Sequence, residues 1–111
     1  MIEGHPSPLE MAILTTFHDL YKDSGFPSPK GVQVRRRENT GSGRYVDLVP
    51  VESPLLPEGH LDLGGHFIEM AGVPNGLMAV VRVKDHCVDQ IEISVYGDAP
   101  WSGEEVKWKI V

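Results

Sequence analysis

The chain is short of several things that chemistry and compartment usually leave behind. Among its 111 residues there is one cysteine, Cys87, so no disulfide can close within the chain. That agrees with a reducing compartment, and the expected location is the cytoplasm. No apolar run approaches ~18 residues, so no membrane-spanning helix is expected. No basic segment followed by an apolar one opens the sequence, so no secretory leader is expected either. There is no internal repeat and no low-complexity tract. The most specific absence lies near the end: from Asp85 to Glu105 there is no Lys or Arg.

What is present describes an ordinary globular chain. The apolar share is 41% and the charged share 23%, which fits one domain over residues 1–111 with one modest core. Twelve glycines and nine prolines predict many turns rather than a helical bundle. The net charge of −6 disfavours nucleic acid, whose phosphates need Lys and Arg. It equally disfavours anionic membrane surfaces. A basic protein partner would be attracted, mainly through a faster encounter. Composition leaves monomer and homodimer both open, since an exposed strand edge can pair with its twin.

The order of elements follows from periodicity. Ser7, Pro8 and Glu10 form an S-x-x-E capping box with proline at the first helical position. Leu9, Ile13, Phe17, Leu20 and Tyr21 recur at helical spacing, predicting a helix over residues 8–23 that stops at Gly25. Alternation around Val32 and Val34, a turn in "ENTGSG", and alternation in "RYVDLVPV" predict a hairpin. A strand bent at Gly64–Gly65 is expected in "LDLGGHFIEMA", followed by a turn at Asn75–Gly76. "LMAVVRVK" and "CVDQIEISVYG" read as two strands joined at Asp85–His86. Val88 is out of phase with Ile91, which predicts a bulge at Asp89 or Gln90. A turn over Asp98–Gly103 and a short strand within Val106–Val111 complete the chain. The expected class is α+β, with one N-terminal helix packed on a mainly antiparallel sheet of five or six strands.

Candidate chemistry is sparse. His60, Asp62 and His66 would share one face of a straight strand, and imidazole with carboxylate suits a divalent metal. A small metal-dependent enzyme is therefore one alternative. His86 and Cys87 point to opposite faces of a strand, so His86 is poorly placed to activate the thiol. Arg35, Arg36 and Arg37 form the one basic cluster, with alternation sending Arg36 away from the other two. A binding module gripping an anionic small molecule there is a second alternative.

The acidic window carries the main expectation. Asp85, Asp89, Glu92, Asp98, Glu104 and Glu105 account for the whole net charge, because the rest of the chain balances at ten acidic and ten basic residues. Tyr96 and Trp101 supply side chains that often anchor interfaces. The stretch "VRVKDHCVDQIEISVYGDAPW" resembles the hairpin V-x-V-x-D-x-x-x-x-x-I-E-x-x-x-Y-G-D-x-P-W of small bacterial immunity proteins, encoded beside secreted toxins. The resemblance covers about the last quarter of the chain. It implies a non-enzymatic protein, without catalytic residues, metal or cofactor, that binds a cognate toxin domain with a basic surface, such as a nuclease. Charge and aromatic content then nominate Glu92, Tyr96, Asp98, Trp101, Glu104 and Glu105 as toxin-binding residues, with a place in the core beside Trp108 as the alternative for Trp101.

Overall fold

The structure, a computed structural model, describes residues 4–111. Ser7 sets the start of helix α1, Pro8–Tyr21. Its Oγ accepts the Glu10 amide at 3.2 Å, and Glu10 Oε1 accepts the Ser7 amide at 2.9 Å. Two N–H groups that the helix cannot satisfy internally are thereby satisfied, an arrangement worth about 1 kcal/mol. Leu9, Ile13 and Phe17 are buried as the periodicity predicts, together with Leu14. Leu20 is not: it is 41% exposed. It lies against Gly64, 3.5 Å from where a Cβ would stand, and glycine offers no side chain to cover it. The helix ends two residues before the predicted Asp23. A 3-10 turn, Lys22–Ser24, then leads to Gly25 in the left-handed conformation.

Seven strands follow: β1 Val34–Asn39, β2 Gly43–Glu52, β3 Gly59–Asp62, β4 Ile68–Met70, β5 Val73–Lys84, β6 Cys87–Val95 and β7 Trp108–Ile110. Each neighbouring pair is antiparallel, in the order β1-β2-β6-β5-β4-β7, with β3 also on β5. The α+β class is as expected, with a strand count above five or six. The extra strand comes from the Gly64–Gly65 segment, which breaks a strand instead of bending it. Both glycines take positive φ, +59° and +93°, and the chain leaves the sheet between β3 and β4. The two short strands then line up along one side of β5.

Asn75–Gly76 is also a correction. The chain reverses at Ala71–Gly72, between the paired Met70 and Val73, and Asn75–Gly76 lies inside β5. Gly76 takes φ +75°, and a Cβ there would stand 2.6 Å from the Ile68 carbonyl oxygen. The glycine therefore serves a bulge where two backbones approach closely. The other predicted irregularity is present. Val83 pairs with Val88 and Arg82 with Gln90, which leaves Asp89 as the extra residue.

Alternation gives the sheet two unlike faces. Leu77, Ala79, Val81 and Val83 of β5 point into the core with Val46, Leu48, Val88, Ile91 and Ile93. Helix α1 covers that side through Leu9, Ile13, Leu14 and Phe17, in one continuous cluster of buried residues. The opposite face carries no covering layer, and the molecule is a slab of 37 × 34 × 21 Å. The last segment crosses the end of the sheet and pairs β7 with β4. No described helix is long and apolar enough to cross a membrane.

Candidate interaction face

The nominated residues divide between interior and surface. Trp101 is 4% exposed and belongs to the core. Its ring lies over the Arg44 guanidinium, 4.9 Å from the centroid, and its Nε1–H donates to the Glu104 carbonyl at 2.8 Å. Arg44 is itself buried, and it is the hub of an ion cluster. Its Nη1 donates to Glu10 Oε2 at 3.0 Å and to Glu105 Oε2 at 2.7 Å. Its Nε donates to Asn39 Oδ1, and its Nη2 to the Gly103 carbonyl. Glu105 in turn accepts the Leu9 amide at 3.0 Å and the Ser7 hydroxyl. Trp101 and Glu105 thus have structural duties: Trp101 takes the core alternative, and the Glu105 carboxylate is matched within the chain.

Glu10 shows why the cluster must be complete. It is fully buried, and burial pushes its carboxyl toward the neutral form. The hydrogen bonds from Arg37 and the Ser7 amide, with the charges of Arg37 and Arg44, outweigh that. They hold it below the ordinary carboxylate value. Arg37 grips it with Nε at 2.7 Å and Nη2 at 2.6 Å. Among the described residues no buried side-chain nitrogen or oxygen lacks a hydrogen bond.

Cross-strand register builds the other face. One row runs Arg36, Asp47, Gln90, Arg82, His60 across β1, β2, β6, β5 and β3. Its charges are matched on the spot. Arg36 meets Asp47 at 3.3 Å, Gln90 donates to Asp47 at 3.0 Å, and Arg82 holds Asp89 through two bonds of 2.8 and 3.0 Å. The next row runs Glu38, Tyr45, Glu92, Val80, Asp62 across the same five strands. Its three carboxylates are spaced roughly 10 Å apart, two strand spacings each. None of them has an ion-pair partner among the described residues. Tyr45 is 39% exposed beside Glu92, and Tyr96 beyond the end of β6 is 44% exposed. Asp98 and Glu104 are exposed on the following loop and make no ion pair among the described residues.

The remaining sequence candidates separate. His60 belongs to the matched row, Asp62 to the acidic one, and His66 lies past the chain break. Among the described residues no three His, Cys, Asp or Glu side chains are gathered where they could hold a metal ion. The three arginines also depart from simple alternation. Val34 pairs with Leu48 and Arg36 with Asp47, so Arg35 is an extra residue in β1. Arg35 and Arg36 consequently line one groove of about 470 Å³ with Arg82, while Arg37 turns inward to Glu10. Asp47 and Asp89 already match Arg36 and Arg82 there, which leaves little field for an anion. Cys87 is partly buried, and His86 heads the β5–β6 turn beside it with φ +63°. Both oxygens of Glu58 accept the amides of that turn, Asp85 at 3.0 Å and His86 at 2.9 Å.

No family model, curated protein or solved structure matches this chain. Its geometry is therefore the guide to its function. Glu38 and Tyr45 are absent from the candidates read in the sequence, and Asp62 is grouped there with His60 and His66 instead of with Glu92. Each alternates outward on its own strand, but only the register brings them beside Glu92.

Proposed function

We propose that this chain is an immunity protein. It binds and neutralises a cognate bacterial toxin with a basic surface, and it performs no catalysis of its own. The observation that carries the reading is the Glu38–Tyr45–Glu92–Val80–Asp62 row: unmatched carboxylates, an exposed phenol and an apolar side chain on a rigid, uncovered sheet. A five-strand row is roughly 19 Å wide, enough to lie along a substrate cleft. Its carboxylates would meet the Lys and Arg that a nuclease uses for phosphate. Tyr45, Tyr96 and Val80 would supply the desolvated contact. Asp98 and Glu104 extend the negative field and would steer encounter. The contact surface is thus the sheet face with the adjoining loop, broader than the hairpin tip alone.

The test is co-expression with the toxin domain encoded beside this chain. Protection of growth, lost when Glu38 and Glu92 are both changed to Lys, supports the proposal. A neighbouring gene that encodes no secreted toxin, or protection that ignores those substitutions, rejects it.

A further inference from the structure

The break between β3 and β4 leaves a groove of about 510 Å³ beside the acidic row. That size lies within the ~300–1,000 Å³ range of sites for small groups. The wall is the Gly64–Gly65 turn, and the floor is Met78 and Ala79 of β5. Five polar or aromatic side chains border it: Asp62, His66, Phe67, Asn75 and Tyr96. No Lys or Arg lines it. One Asp62 oxygen, Oδ1, accepts the Gly64 amide at 2.8 Å, and the other has no hydrogen bond among the described residues. His66 Nδ1 lies 3.0 Å from the Val111 main-chain oxygen. That oxygen can only accept, so His66 donates to it through Nδ1 and Nε2 is left facing the groove's other groups.

The bordering groups thus have one chemical sense. A free carboxylate oxygen, the Asn75 amide with its carbonyl acceptor, two aromatic rings and a thioether suit a cation on an apolar stem. An anion would find no positive side chain, and a wholly apolar group would leave Asp62 unsatisfied. We infer that this groove receives a Lys or Arg side chain presented by the basic partner that docks on the adjoining acidic face. The occupant rests on the immunity reading, while the cation preference rests on the groove alone. The stem would run over Met78 and Phe67, and the charged head would reach Asp62. Tyr96 would close over the stem, which gives this exposed ring a role.

NMR titration of the full chain tests the inference without any toxin. The probes are the N-acetyl amides of arginine, lysine and norleucine, together with agmatine. The expected result is saturable shifts of the Gly64, Gly65 and His66 amides with blocked arginine or lysine, at millimolar dissociation constants. Norleucine should bind at least fivefold more weakly. Asp62→Asn keeps an acceptor for the Gly64 amide but loses the charge, and should weaken the cations at least fivefold while leaving norleucine unchanged. Tyr96→Ala, at an exposed ring, should weaken all three. Equal binding of norleucine overturns the cation assignment, and so does the absence of saturable shifts. Agmatine binding more than tenfold tighter than blocked arginine makes the site one for a free amine and overturns the side-chain assignment. Failure of toxin protection alongside the expected titration would reject the immunity reading alone.

Discussion

Two groups of charges on opposite sides of one sheet are treated in opposite ways. Inside, Glu10 and Glu105 meet Arg37 and Arg44, and the hydrogen-bonding capacity of the cluster is used. Outside, Glu38, Glu92 and Asp62 stand in a row with no cation among them. An unpaired charge is costly in the interior and cheap in water, so the first group is explained by folding and the second is not. What folding leaves unexplained is where function is best sought.

The largest expected effect is inside. Arg44→Met deprives Glu105 of its ion-pair partner and Glu10 of one of two, and should cost about 3–5 kcal/mol in urea unfolding. A loss below 1 kcal/mol would mean the cluster is dispensable and the contrast overstated. Acid should act on the same place. Glu10 has its folded value depressed, so its contribution is complete above the unfolded value near 4.5 and lost as pH falls through the lower folded one. Urea midpoints should therefore fall below pH 4.5, and Glu10→Gln should flatten that slope. Glu105→Gln keeps an acceptor for the Leu9 amide and removes the charge, with an expected loss of about 1–2 kcal/mol. At the outer face, Glu92→Lys should change stability by no more than ~0.5 kcal/mol. The same change should slow association with a basic toxin about tenfold at low salt, by stopped-flow mixing. A folding defect as large as that of Arg44→Met would erase the distinction between the two faces.

Much of the fold could be read from local chemistry. The capping box, the β5 and β6 alternation and the Asp89 bulge each depend on residues close in sequence, and each is where periodicity puts it. The departures involve distant partners. Asn75–Gly76 has the composition of a hairpin turn, yet the chain reverses earlier because β4 pairs with the start of β5. Trp101 and Glu105 look exposed in an acidic stretch, and no local pattern reveals Arg44, more than fifty residues away, as their partner. Arg35 breaks alternation in β1 without any glycine or proline to announce it. The acidic row was half visible: Glu92 stood out by charge, while its neighbours required the pairing of five strands.

The hydrogen bonds from Ser7 and Leu9 to Glu105 span sequence separations of 98 and 96 residues. During synthesis the first helix therefore leaves the ribosome long before the carboxylate that completes its N-terminus exists. On its own, a 14-residue segment is marginal in water. Its lasting order comes from the finished sheet and the returning tail, and the earliest and latest parts of the chain meet at its N-terminus.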